Sequence, residues 1–136
     1  FDKRRNLTLF VVDGDVNWRC FKFLGEYAVA SIDVPEASSL LADGQNGFYL
    51  QGNARFGRGW LDTLPDSEFT AVVRWGSVDF DTDIDGDSRD RLTLGLNLRP
   101  IDDAVFKIDY QRNWARDRFD NEVESAALLF SVATYF

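Results

Sequence analysis

The sequence has no histidine, no methionine and a single cysteine, Cys20. Without histidine, zinc sites of the usual kind are excluded, and with one thiol there is no internal disulfide framework. No basic-then-apolar leader opens the chain. It starts at Phe1 without an initiator methionine, so either a leader has been removed or this is a piece of something longer. Long apolar runs are missing too. The longest is Ala126 to Phe130, far below the roughly 20 residues of a membrane-spanning helix. Positive charge is scarce: 15 Lys+Arg against 23 Asp+Glu give a net charge of -8, which argues against a nucleic-acid partner that binds through a basic face. There are only 3 prolines, Pro35, Pro65 and Pro100, and all are expected outside regular strands.

What is plentiful is aromatic and alternating. Aromatics make up 15% of the 136 residues, 12 of them Phe. The clearest stretch is Arg91 to Arg99. Leu92, Leu94, Leu96 and Leu98 share one parity, while Arg91, Thr93, Asn97 and Arg99 take the other. A helix would need its apolar stripe at i+3 and i+4, where Gly95 and then Arg99 break it. Strict alternation is the mark of a strand with one apolar face. The same test predicts strands over 8–20, 22–33, 47–57, 69–80, 104–114 and 125–136. The chain therefore reads as all-β and antiparallel, with residues 1–136 in one domain.

Either the apolar faces turn inward, as in a soluble lipocalin-like barrel, or they turn outward to lipid. Three features favour lipid. The predicted strands are about 10 to 13 residues long, close to what a tilted membrane strand needs. The connections alternate in length, short at Cys20–Phe21 and Pro100–Asp103, long and acidic at 34–46, 81–90 and 115–124; the 57–68 connection departs from that alternation. Aromatics also gather at strand ends. Trp18, Phe21, Phe56, Trp60, Phe69, Phe106 and Phe136 fall at one level and Phe10, Phe48 and Trp114 near the other, as two interfacial belts would.

The stretches Gly47-Phe-Tyr-Leu-Gln-Gly52, Val72-Val-Arg-Trp75, Arg91-Leu-Thr-Leu-Gly-Leu-Asn-Leu-Arg-Pro100 and Phe106-Lys-Ile-Asp-Tyr-Gln111 resemble the C-terminal half of bacterial outer-membrane porins. They are most similar to the phosphate-selective porins O and P and their relatives. The terminal Tyr135-Phe136 resembles the signal read by the barrel-assembly machinery, with Tyr penultimate rather than third from the end. The resemblance implies a transmembrane β-barrel of about sixteen strands, often trimeric, in contact with outer-membrane lipid and lipopolysaccharide. Its implied function is diffusion of small anions or other hydrophilic solutes. Seven strands cannot close as an even-numbered barrel, so the chain is expected to be the C-terminal part of one; an eight-stranded barrel with a further strand near Asp2–Asn6 is the alternative.

No nucleophile–base pair is legible, so an enzyme is not expected. The candidate pore-lining groups are Arg55, Arg74, Arg91, Arg99 and Lys107, with Asp109 as the inward carboxylate of the same strands. A guanidinium fork donates two hydrogen bonds to an oxyanion without fully capturing it. The plainer alternative is that these cations pair with Asp13, Asp15, Glu26 or Asp109 and stiffen the wall. No cofactor is expected, except calcium in the 81–87 loop. Asp81, Asp83, Asp85 and Asp87 space oxygens as the first half of a calcium loop does, although Leu92 replaces the closing Glu; a solvated acidic loop is the alternative. Arg112 and Trp114 share the lipid parity near the outer rim, where a cation meets lipopolysaccharide phosphate. A non-conducting scaffold barrel remains the second function.

Overall fold

The computed structural model describes residues 6–32, 44–80, 87–117, 119 and 121–135. Seven antiparallel strands form one sheet in chain order: β1 (Leu7–Trp18), β2 (Phe21–Ile32), β3 (Gly44–Phe56), β4 (Glu68–Asp79), β5 (Ser88–Ile101), β6 (Ala104–Arg116) and β7 (Glu122–Thr134). The described residues contain no helix, and none that is long and apolar enough to cross a membrane. The sheet is open: β1 and β7 are its edges.

Each predicted strand is present, and the ladder register joins their apolar parities into one face. The rung through Leu96 reads Trp18, Phe21, Ala54, Ala71, Leu96, Ile108 and Phe130 from β1 to β7. The rung through Leu94 reads Val16, Phe23, Gly52, Val73, Leu94, Tyr110 and Leu128. A register slip of one residue on any strand would have broken both rows.

Among the described residues nothing covers this apolar face. Among the described residues no hydrophobic side chain is buried; Leu94 remains 44% exposed and Phe130 71%. The opposite face carries the polar parities and borders a half-open concavity of about 1020 Å³, lined by residues from Leu9 on β1 to Gln111 on β6. The sheet therefore curls towards its polar face and holds its apolar face outward.

The apolar band also slants. Its upper edge is Phe10 on β1, but the rung of Phe10 has become Ser88 on β5 and Glu122 on β7. Apolar residues resume at Leu92 and Ala126, four residues further along each strand. That drop is about 13 Å over four to six strand steps of about 4.8 Å, a slant of roughly 25–35°.

Two expectations need correction, and the long connection that departs from the alternation has a defined form. Pro100 lies inside β5, where the β5–β6 register shifts between Leu98 and Ile101; the bulge interrupts the ladder where proline has no N–H to give. Glu68 opens β4 on the polar face, directly opposite Arg99, so Asp109 is not the only carboxylate there. The long 57–67 connection is a compact turn. Trp60 N–H donates to the Gly57 carbonyl and Ser67 N–H to that of Leu64, and the Trp60 ring lies 5.7 Å edge-on from Phe56, which stacks on Phe69. Gly57 has φ 71°, and an added Cβ would strike the Phe69 and Trp60 rings, so glycine is required to bring this aromatic triad together.

Candidate functional site

The site is the polar face and the half-open cavity it borders. Register places all the candidate cations there. Arg55 on β3 and Lys107 on β6 share a rung through Thr70 and Asn97. Arg74 on β4 lies one rung above Asp109, and Arg91 on β5 one rung higher still. Arg99 lies at the short-turn end beside Glu68. Arg74, Arg91, Lys107 and Asp109 line the same cavity; Arg55 lines a smaller recess near the β1–β2 turn.

What holds the two central arginines is neutral. The Arg74 guanidinium lies 4.0 Å from the centre of the Tyr49 ring, a cation–π contact that orients the fork without cancelling its charge. Arg91 Nε donates to Asn113 Oδ1 at 2.6 Å, and Asn113 Nδ2 reaches Ser125 Oγ at 3.4 Å. Among the described residues neither guanidinium has a carboxylate within ion-pair distance. A guanidinium has five N–H donors, and Arg91 uses one here, so both forks keep donors for a solute.

Asp109 is seated differently. Its carboxylate lies over Gly95, and a Cβ at that position would collide with it. Lys22 meets Asp15 at 3.7 Å; both are solvated, and such a pair is worth little. Asp13 and Glu26 are directly opposite one another on β1 and β2, an arrangement of like charges that costs energy.

Charge on this face is therefore segregated. Strands β1 and β2 carry Asp13, Asp15 and Glu26 against Lys22. Strands β3 to β6 carry Arg55, Arg74, Arg89, Arg91, Arg99 and Lys107 against Glu68 and Asp109. The alternation alone missed Arg89 and Glu68, and it placed Tyr49 and Asn113 on the polar face without the roles they take beside the arginines. Strand ends hid the first two. The other two matter through cross-strand contacts that only the register reveals.

Elsewhere, Arg112 on the apolar face is bound to Glu124 at 2.9 Å and lies 5.3 Å from the Trp114 ring, so its charge is already matched. Asp87 accepts from Phe80 N–H and donates its own N–H to the Asp117 carbonyl. Asp81, Asp83 and Asp85 lie outside the described residues, as do Phe136 and Asp2 to Arg5. Among the described residues no group of acidic side chains is arranged to hold a metal. Tyr135 is exposed, and its N–H donates to the Asp103 carbonyl at 2.9 Å.

Comparison with known proteins returned no matching family model, curated protein or solved structure.

Proposed function

We propose that this chain forms part of the wall of an outer-membrane β-barrel that passes small hydrophilic solutes by diffusion and prefers anions. One observation carries the reading. The continuous apolar face is on the convex side, and the polar face lines the half-open concavity. A lipocalin-like barrel has the opposite arrangement, with its apolar face around the ligand. Water on a seven-strand apolar face is costly, at about 25 cal/mol per Å²; lipid removes that cost. The slant of the apolar band supports the same reading, because it approaches the roughly 35–45° tilt of outer-membrane strands. The aromatic triad at Phe56, Trp60 and Phe69 suits one lipid interface.

Anion preference follows from Arg74 and Arg91, whose charges are held but not neutralised. In this reading Tyr135 and Phe136 serve the barrel-assembly machinery, outer-membrane lipid covers the apolar face, and the barrel associates as a trimer.

The test is the reversal potential of the full chain in planar bilayers under a salt gradient. The wild type should favour anions at low salt and lose that preference as salt rises, since screening acts over about 10 Å at 0.1 M. Replacing Arg55, Arg74 and Arg91 together by Gln should move the reversal potential towards cations. An unchanged potential would leave the transport reading without a residue-level mechanism.

A further inference from the structure

One polar rung crosses the curved face with charges of both signs. From β1 to β7 it reads Asp13, Glu26, Tyr49, Gly76, Arg91, Asn113 and Ser125. Arg74, one rung away, leans back across Tyr49 at 4.0 Å. Glu26, Tyr49, Arg74 and Arg91 all line the same cavity. In strand order the two carboxylates stand on β1 and β2, Tyr49 on β3, and the arginines on β4 and β5; the rung with Arg74 added has no net charge but a field across it.

The partners of these groups explain why the field persists. Arg74 rests on a ring and Arg91 on an amide, not on Glu26 or Asp13. Among the described residues Glu26 and Asp13 have no cation at ion-pair distance; Lys22 is turned to Asp15. Opposite charges in one cavity are normally expected to collapse onto each other. Here Tyr49 stands between them.

A simple anion gains at the guanidinium groups and is repelled by the carboxylates of the same rung. A simple cation meets the reverse. A solute with separated charges and no net charge gains on both sides. We propose that this rung, with Arg74 beside it, is a transient binding site for small zwitterions, with the solute's carboxylate at Arg74 and Arg91 and its ammonium at Glu26, whose negative field Asp13 reinforces from the neighbouring strand. The proposal rests on the reading of the cavity as a solute path and names the solute class favoured at this level of it. The surplus cations on the other rungs account for the anion preference of bulk current.

The experiment uses the full chain refolded in detergent micelles, with three probes of one carbon skeleton at pH 7: γ-aminobutyrate, butyrate and butylammonium. Equilibrium dialysis of each labelled probe measures binding without requiring a current. The zwitterion should bind about tenfold more tightly than either singly charged probe, as expected for solvated pairs that each contribute modestly. Glu26→Gln should bring γ-aminobutyrate down to the level of butyrate, and Arg91→Gln should bring it down to that of butylammonium. Butyrate binding as tightly as γ-aminobutyrate, or a preference untouched by Glu26→Gln, would overturn the proposal, as would no binding of any probe. Bilayer current from the same preparations separates the two ideas. Zwitterion binding without current overturns the transport reading and leaves the site standing, whereas current without zwitterion preference overturns the site alone.

Discussion

Replacing Leu96 by Arg puts a charge where the apolar face has no polar neighbour. Its rung is apolar on every strand: Trp18, Phe21, Ala54, Ala71, Ile108 and Phe130. The rungs on either side, through Leu94 and Leu98, offer only the Tyr110 hydroxyl near the band's upper half. If this face meets lipid as proposed, the charge has no partner at this depth and must draw water or headgroups towards itself. At mid-bilayer this should cost roughly 2–4 kcal/mol, or about 30- to 700-fold in the folding equilibrium. Gln111→Arg is the control. It lies on the polar face at a similar depth, between Thr93 and Ala127, and should cost no more than about 0.5 kcal/mol. The assay is a urea titration of folding into phospholipid vesicles, followed by tryptophan fluorescence. Equal midpoints for Leu96→Arg and Gln111→Arg would refute the reasoning, because they would mean that both faces see water.

Two other predictions concern smaller features. Gly95 leaves room for the Asp109 carboxylate, so Gly95→Ala should destabilise the sheet in the presence of Asp109 and much less beside Asp109→Ala; the double-mutant coupling should be about 0.5–3 kcal/mol, read from the same urea titrations. In the β6–β7 turn, the Asn121 side chain and then its backbone N–H donate to Asp117, with a further bond from Phe119 N–H, and these hold the Asp117 carboxyl below its ordinary range. A depressed carboxylate stabilises above its unfolded value and loses that contribution as pH falls through the folded one. Amide exchange at Asn121, relative to a mid-strand amide, should thus accelerate in acid below the usual carboxylate range, and Asp117→Asn should abolish that pH dependence.

Much of the architecture was legible because period-2 alternation is local. Leu92 to Leu98 announce β5 without reference to any other strand. What failed was the strand ends, and it failed mostly at one end. β3 starts at Gly44 rather than 47, β5 at Ser88 rather than 91, and β7 at Glu122 rather than 125. All three are at the long-loop end, where the strands rise above the apolar band. Apart from Val123 both faces are polar there, so alternation carries no signal. Arg89 was lost for that reason. Glu68 was lost because β4 starts one residue before its first apolar side chain. Pro100 was misread because a bulge admits what a regular ladder refuses. The site was legible only as a list of cations. Their meaning depends on which neighbours they meet, and the Tyr49–Arg74 and Asn113–Arg91 contacts join residues 25 and 22 positions apart. The side to which the sheet curls is a property of all the strands together, and no single segment encodes it.

The central claim is that alternate residues of β5 face lipid and the cavity. Single cysteines placed in turn from Arg91 to Arg99, in a Cys20→Ser background, can each carry a small fluorophore in the protein refolded into vesicles. A nitroxide quencher in the acyl chains and aqueous iodide then report the surroundings of each position. Strict alternation is expected, with Leu92, Leu94, Leu96 and Leu98 quenched from the lipid and Arg91, Thr93, Asn97 and Arg99 quenched from water. The reversed pattern, or leucine positions quenched by iodide as strongly as their neighbours, would contradict it.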